Sequence, residues 1–256
     1  MVRTEYGIQM YSLRDITEKD MYGALKNVAE MGYKYIEFAG FFDYTAEQIK
    51  AWLDEFSLVC SGTHTNLSEL ASETIDEVID YHKKIGCDNI IVPWSDWSTP
   101  EKADKVIEQL NAASEKLAQN GIRLGYHNHS KEFFPNAYGT VFEDELINRT
   151  NIELEIDTFW LFNAGKDVIE FLEQNKNRIR VIHLKDGIPT SSEPRNIDNI
   201  GEGVQGLSVG LGEAPITKVR EWANKNNVLM VVESEGLDPT GLQEVGRCIE
   251  FLRTLD

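Results

Sequence analysis

The chain has 256 residues, 41% hydrophobic and 27% charged, enough to bury the core of one large domain or two small ones. Its formal net charge of −18 repels phosphate backbones and anionic lipid heads, which argues against nucleic acid and membranes as partners. No apolar run is long enough to span a bilayer, no early stretch has the order of a signal peptide, and three scattered cysteines (Cys60, Cys87, Cys248) suit reduced core thiols; together these predict a cytoplasmic protein.

Short apolar runs alternate with longer amphipathic ones from end to end. A strand is expected at Tyr6–Ser12, then the helix "MYGALKNVAEMG", a strand at Tyr33–Ala39 and the helix "TAEQIKAWLDEF". Next come a strand at Leu58–His64, the helix "LSELASETIDEVIDYHKKIG", a strand at Cys87–Trp94 and the helix "TPEKADKVIEQLNAASEKLAQNG". A strand at Gly121–Asn128 leads to "VFEDELINRT", a strand at Asn151–Asp157 to "KDVIEFLEQNKN", and a strand at Arg178–Lys185 to a long irregular stretch. The helix "APITKVREWANKNN", a strand at Asn227–Ser234 and the helix "GLQEVGRCIEFLRTL" complete the pattern. Thr45, Ser68 and Thr99 are expected helix N-caps, and Gly32, Gly86 and Gly121 expected stops.

Eight strand–helix units without a low-complexity linker predict an α/β fold: a (β/α)8 barrel spanning residues 1–256 as a single domain. A doubly wound open sheet is disfavoured by the strand count and by the absence of a GxGxxG turn. The irregular stretch, residues 187–215, reads as a lid or a disordered segment. Its glycines (Gly201, Gly203, Gly206, Gly210, Gly212) suit lid flexibility; the other reading is that their N–H groups hold an anion. Arg14, Lys131 and Arg195 are the extra cations available, and the negative field favours an uncharged substrate.

Barrel enzymes build their chemistry at the carboxyl ends of the strands. Here those positions carry Glu37, His64, His127, His129, Asp157, His183, Lys185 and Glu233. Period-two alternation puts Glu153, Glu155 and Asp157 on one face of the sixth strand, His183 and Lys185 on one face of the seventh, and Glu233 with Val231 on the eighth. Carboxylates and an imidazole converging at one depth are costly unless a divalent cation holds them. Asp157, His183 and Glu233 mix oxygen and nitrogen without thiolate, which suits one Mn²⁺, Co²⁺, Zn²⁺ or Fe²⁺ ion. In "LGYHNHSKEF", His127 and His129 share a face. If that face is inward, His127 is a fourth ligand and His129 a substrate contact; otherwise Tyr126 and Asn128 point in.

The segments "GIQMYSLRD", "IEFAGF", "YHNHSKEF", "DTFW", "HLKDG", "VGLGEAP" and "VVESEG" occur in an order that resembles the xylose isomerase-like TIM barrels. That superfamily comprises sugar (phosphate) isomerases and epimerases, inosose dehydratases and endonuclease IV. The resemblance implies one metal held by residues of the last four barrel strands, with Asp157, His183 and Glu233 at three of the positions and His127 where many relatives carry glutamate. It also implies that a relay between two glutamates is incomplete here, and that Trp160 stands where some epimerases carry a histidine.

The expected activity is a divalent-metal-dependent sugar isomerase or epimerase, removing an α-proton from a ketose or related sugar through a metal-stabilised enediolate. Glu233 or Glu132 is the expected base, with His64, His129 or Lys185 handling the second proton, and Glu37, Trp94 and Trp160 as further substrate contacts beside His129 and Lys185. The alternative is a metal-dependent dehydratase or lyase on an inosose or 3-keto-glycoside. A nuclease is disfavoured by five histidines and the lack of a basic groove, while a sugar-binding protein without turnover is a further reading. The expected partner is a small-molecule sugar, and the sequence is compatible with a homo-oligomer.

Overall fold

Each of the eight expected runs supplies one barrel strand, a few residues shorter than the apolar pattern. They are β1 (Gly7–Gln9), β2 (Tyr35–Phe38), β3 (Val59–His64), β4 (Asn89–Val92), β5 (Arg123–His127), β6 (Glu153–Asp157), β7 (Val181–Leu184) and, after a hairpin, β10 (Leu229–Val232). In the computed structural model, which describes residues 5–256, these strands pair in parallel in the order β1–β10–β7–β6–β5–β4–β3–β2 and close on themselves. The helices are α1 (Met21–Met31), α2 (Ala46–Glu55), α3 (Ile75–Ile85), α4 (Pro100–Ala118), α5 (Phe142–Arg149), α6 (Thr158–Asn163), α7 (Val168–Asn175), α8 (Ile216–Asn226) and α9 (Gly241–Arg253).

Local signals act as expected at most ends. Thr45 and Gln48 form a capping box on α2, Thr99 accepts the Lys102 N–H, and Gly32 (φ 94°) and Gly86 (φ 75°) close α1 and α3 in the left-handed region. Ser68 is not a helix cap. It lies in a short 3-10 turn (Leu67–Leu70), and α3 starts only after Thr74, whose hydroxyl donates to the Glu69 carbonyl.

Outward-facing strand residues make the core. Ile36, Ile156, Ile182, Leu184 and Val232 pack with Leu25, Val28, Leu172, Val219 and Val245 of the helices, and Ile90, Val92 and Leu124 pack with Leu110, Leu117 and Phe142. Each such side chain contributes roughly 1.5–3 kcal/mol when fully buried. This apolar shell between strands and helices frees the inside of the barrel to carry charge.

The stretch after β7 is structured. It begins with β8 (Asp186–Ile188), which pairs antiparallel with β9 (Gln205–Leu207). The buried Asp186 carboxylate accepts four backbone N–H groups, from Gly187, Gly210, Gly212 and Ala214, at 2.9–3.0 Å. Two of the loop glycines therefore give their N–H groups to an internal carboxylate, which removes them from any anion site. Asn163 fixes the other half of the loop, accepting from Thr190 N–H at 2.7 Å and donating to the Ile200 carbonyl at 2.9 Å. Among the described residues no helix is long and apolar enough to cross a membrane.

Replacing Asp186 by Ala leaves four N–H donors without their acceptor, at about 1–3 kcal/mol for each one that stays buried and unpaired. Asp186→Ala is expected to lower the unfolding free energy by at least about 3 kcal/mol and to make residues 187–215 the first site of limited proteolysis. Chemical denaturation and mass spectrometry of the fragments check both outcomes.

Candidate metal centre and active-site cleft

Strand register brings the charged residues together. Asp157 pairs with His183 across β6 and β7, and His183 pairs with Val231 across β7 and β10, so Glu233 follows two residues beyond. On β5 it is the histidine face that points inward: Tyr126 packs outside, its hydroxyl 2.9 Å from Ser95 Oγ. Asn128 serves as a cross-strand tie, accepting the Asp157 N–H at 3.0 Å through Oδ1.

His183 lies at the centre of the site and is fully buried. Its Nδ1 is 2.9 Å from Glu233 Oε2 and its Nε2 is 2.7 Å from Glu37 Oε1. Burial alone disfavours the imidazolium, but Glu155, Glu37 and Glu233 outweigh it and hold the pKa well above the usual range. Asp157 uses one oxygen locally: Oδ1 accepts the Trp160 N–H at 2.9 Å and caps α6. Its Oδ2 is buried without a hydrogen-bond partner, 4.0 Å from His183 Nδ1 and 3.8 Å from Lys185 Nζ. Burial raises the Asp157 pKa to about 7 against the opposing pull of Lys185.

His127 is buried with its Nδ1 unpartnered; Glu155 Oε2 is 3.3 Å away but out of line for a hydrogen bond. Burial and the neighbouring His183 and His64 push its pKa well below the usual range, which keeps the imidazole neutral and its lone pair free. One donor atom from each of His127, Asp157, His183 and Glu233 lies within 4.8 Å of the others. The donors fit a divalent cation: the buried Asp157 Oδ2 has no hydrogen-bond partner, and His127 also keeps a buried ring nitrogen, Nδ1, unpartnered. The alternation along β5, β6, β7 and β10 places the four expected ligands in one group.

A second group underlies the first. His64 Nε2 is 2.9 Å from Glu155 Oε2 and 3.2 Å from Glu37 Oε1, and its ring stacks on His183 at 5.6 Å. Burial lowers the His64 pKa, but Glu155 and Glu37 dominate and push it up to about 9. Glu37, an expected substrate contact, is instead fully buried and lines no part of the cleft; it accepts from Gln9 Nε2 at 2.7 Å and orients His183.

Above the cluster opens a cleft of about 750 Å³ whose lining includes His64, His127, His129, Trp94, Glu233 and Glu235. Lys185 is buried beside it, bonded to Glu235 Oε1 at 2.5 Å, 3.6 Å from Glu233 Oε2, and stacked over the Trp160 ring at 4.6 Å. Desolvation works against its charge, yet Glu233, Asp157 and Glu235 raise its pKa above the ordinary lysine value. Burial likewise opposes ionisation of Glu233, but Lys185 and His183 prevail and lower its pKa. His129 is held neutral, with a pKa lowered to about 4 by burial and Lys185.

Like Glu37 and Lys185, the expected residues Glu132 and Trp160 are not part of the lining of this cleft. Glu132 accepts the His129 N–H at 3.0 Å and faces a neighbouring cavity, where burial raises its pKa to about 7. Trp160 also faces that cavity. Sequence reasoning gave no role to Gln9, Glu155 or Glu235. Glu155 was legible as inward-facing, whereas Gln9 precedes a 3-10 turn (Met10–Leu13) that replaces the expected end of the first strand.

A closed parallel barrel with an acid–imidazole cluster at its carboxyl mouth defines a barrel-enzyme architecture. The xylose isomerase-like TIM barrel family profile matches residues 25–255, and the chain belongs to that family. It is 24% identical over 192 residues to 2-oxo-tetronate isomerase of Haemophilus influenzae, covering 65% of this chain and 74% of that protein. It is 29% identical over 168 residues to inosose dehydratase of Mesomycoplasma hyopneumoniae, covering 61% of this chain and 56% of that protein, so it spans little more than half of that relative. The crystal structure of a sugar phosphate isomerase/epimerase from Parabacteroides distasonis aligns over 96% of this chain and 92% of that one, with 25% identity and a TM-score of 0.71. The relatives it resembles thus include a protein named as an isomerase and one named as a dehydratase.

A divalent cation held by this group would displace the proton on His183 Nδ1 and, below about pH 7, the one on Asp157. Because both pKa values are raised, Mn²⁺ affinity is expected to fall as the pH drops from 8 to 6, by about tenfold per unit for each proton released. Asp157→Asn is expected to weaken binding by about 100-fold or more, since loss of an outer-shell partner alone costs 10–100-fold. Calorimetric titration with MnCl₂ in buffers of different ionisation enthalpy reads both the affinity and the proton count.

Proposed function

We propose that this protein is a sugar isomerase or epimerase that binds one divalent metal through His127, Asp157, His183 and Glu233 and moves a proton beside the carbonyl of an uncharged ketose or related sugar. The observation that carries the reading is the buried Asp157 Oδ2, left without a hydrogen-bond partner beside His183 and Lys185 and grouped with donor atoms of His127, His183 and Glu233 below an open cleft. A ligand set without thiolate suits Mn²⁺, Co²⁺, Zn²⁺ or Fe²⁺. When bound, such an ion supplies Lewis-acid stabilisation of negative charge on the carbonyl oxygen.

The chain's own residues do the rest. Glu233 is ionised and lines the cleft, so it takes the α-proton and returns it to the neighbouring carbon. Lys185, 3.6 Å from Glu233, keeps that carboxylate charged and stabilises negative charge on the substrate side. His129, neutral and with an unpartnered Nδ1, accepts a hydrogen bond from a substrate hydroxyl. His64 lines the cleft as an imidazolium and donates to a substrate oxygen when its bond to Glu155 is exchanged. Trp94, 64% exposed at the rim, packs on the sugar. Glu132 has no such role here, because it opens to the neighbouring cavity. Three free, buried cysteines and the acidic surface agree with a cytoplasmic enzyme acting on a small neutral molecule.

A second reading is dehydration, favoured by His127 standing where a second glutamate would complete a two-base relay. Glu233 would then remove the α-proton and Lys185 would protonate the departing β-hydroxyl as water.

A panel of ketoses and inososes incubated in D₂O with Mn²⁺ tests both. Deuterium uptake with isomeric product is expected; a product lighter by one water, with new absorbance of a conjugated carbonyl, identifies the dehydratase. Glu233→Gln is expected to retain substrate binding while exchange and turnover fall about 10²–10⁴-fold. Absence of exchange with every member overturns the isomerase reading.

A further inference from the structure

Next to the cleft over the cluster lies a second cavity of about 680 Å³. Trp94 and His129 line both, so the two are lobes of one depression with a shared wall. The second lobe differs in chemistry from the first. Its lining brings Trp94, Trp97 and Trp160 together with Ile197 and Ile200 of the long loop, with Asp96, Lys131, Glu132 and Asp198 among its polar residues.

These walls are built to hold their shape. The Trp97 ring stacks on Phe142 at 5.3 Å, with 2° between planes, and its carbonyl accepts from Asn136 Nδ2 at 3.0 Å. Asn163 ties the loop beside Ile200, and Arg195 Nη1 donates to the Asn163 carbonyl at 3.1 Å. Two polar atoms of the lining side chains lack partners although buried: Trp160 Nε1, a donor, and His129 Nδ1 on the shared wall. A cavity whose accessible lining is mainly apolar, with three tryptophans and one unmet donor, fits a flat ring bearing an oxygen substituent.

Size points the same way. Each lobe alone falls in the range of about 300–1,000 Å³ that accommodates a drug-sized ligand. A single six-carbon sugar over the cluster leaves the second lobe empty.

We infer that the substrate has two parts: a polyhydroxylated carbonyl unit above the cluster, and an oxygen-linked aromatic group seated between Trp94, Trp97, Trp160 and Ile197. The substrate class is therefore an aryl glycoside-like molecule and not a free monosaccharide. This inference rests on the sugar-directed reading of the first lobe, but the second lobe is tested by binding alone.

The probes are paired 4-nitrophenyl and methyl pyranosides of glucose, galactose and mannose, titrated against the Mn²⁺-treated protein by calorimetry and by quenching of tryptophan fluorescence. In at least one pair the aryl member is expected to bind about tenfold tighter or better, with quenching that the methyl member does not produce. Ile197→Trp, which fills the lobe from the loop side, is expected to remove that preference while Mn²⁺ affinity stays unchanged. Ile197→Ala keeps the lobe open and is expected to retain the preference within about threefold. Equal affinities within every pair, or no aryl binding at all, overturn the inference whatever the activity assays give. A preference that survives Ile197→Trp places the ring elsewhere and overturns it too. Aryl preference in a protein that takes up no Mn²⁺ supports the aromatic lobe and counts against the proposed function alone.

Discussion

Everything at the mouth of this barrel is organised by one imidazole held between two carboxylates. His183 reaches Glu37 from β2 with one nitrogen and Glu233 beyond β10 with the other, so the contact runs across the barrel axis as well as between neighbouring strands. Burying three ionisable groups is expensive, and the arrangement persists because each charge meets an opposite one with directed hydrogen bonds. Gln9 holds Glu37, and Asn128 fixes the backbone at Asp157. Glu37 sets which nitrogen of His183 faces the open side, as outer-shell carboxylates do for metal-binding histidines. Disturbing Glu37 would rotate the ring and move every distance in the cluster.

Much of this was readable from the chain because a closed parallel barrel imposes simple geometry. Side chains at alternate positions of β6 and β7 share a face, and register then brings Asp157, His183 and Glu233 level. The same logic put His127 and His129 on one face of β5 but left open which face turns inward, and packing of Tyr126 outside the barrel decides it. Contacts across the axis were not legible. Glu37 meets His183 over 146 residues of sequence, a relation that strand spacing does not encode, so it reads as a substrate contact when it is a buried support. The fate of Glu132 was likewise hidden. It lies a few residues past β5, but a 3-10 turn (Lys131–Phe133) carries it outward to the second lobe.

Asp157 shows why two readings of one residue need not compete. As the last residue of a strand followed by a helix, it is well placed to cap that helix, and Oδ1 does so. The cap fixes the carboxyl plane and aims Oδ2 at His183 and Lys185. Helix α6 escaped sequence detection because six residues, "TFWLFN", are too short to display periodicity. Its start is nonetheless what makes the carboxylate rigid.

The anchoring of the stretch after β7 bears on how a molecule gets in and out. A segment stitched to Asp186 and Asn163 does not swing as a hinged flap. The entrance is instead bordered by side chains that protrude into water, Tyr11, Phe42 and Trp94, each 45–64% exposed. Rotation of such rings takes picoseconds to nanoseconds, whereas loop closure takes microseconds to milliseconds. A doorway bordered by such rings is reshaped by side-chain rotation, on a far shorter timescale than the movement of a loop.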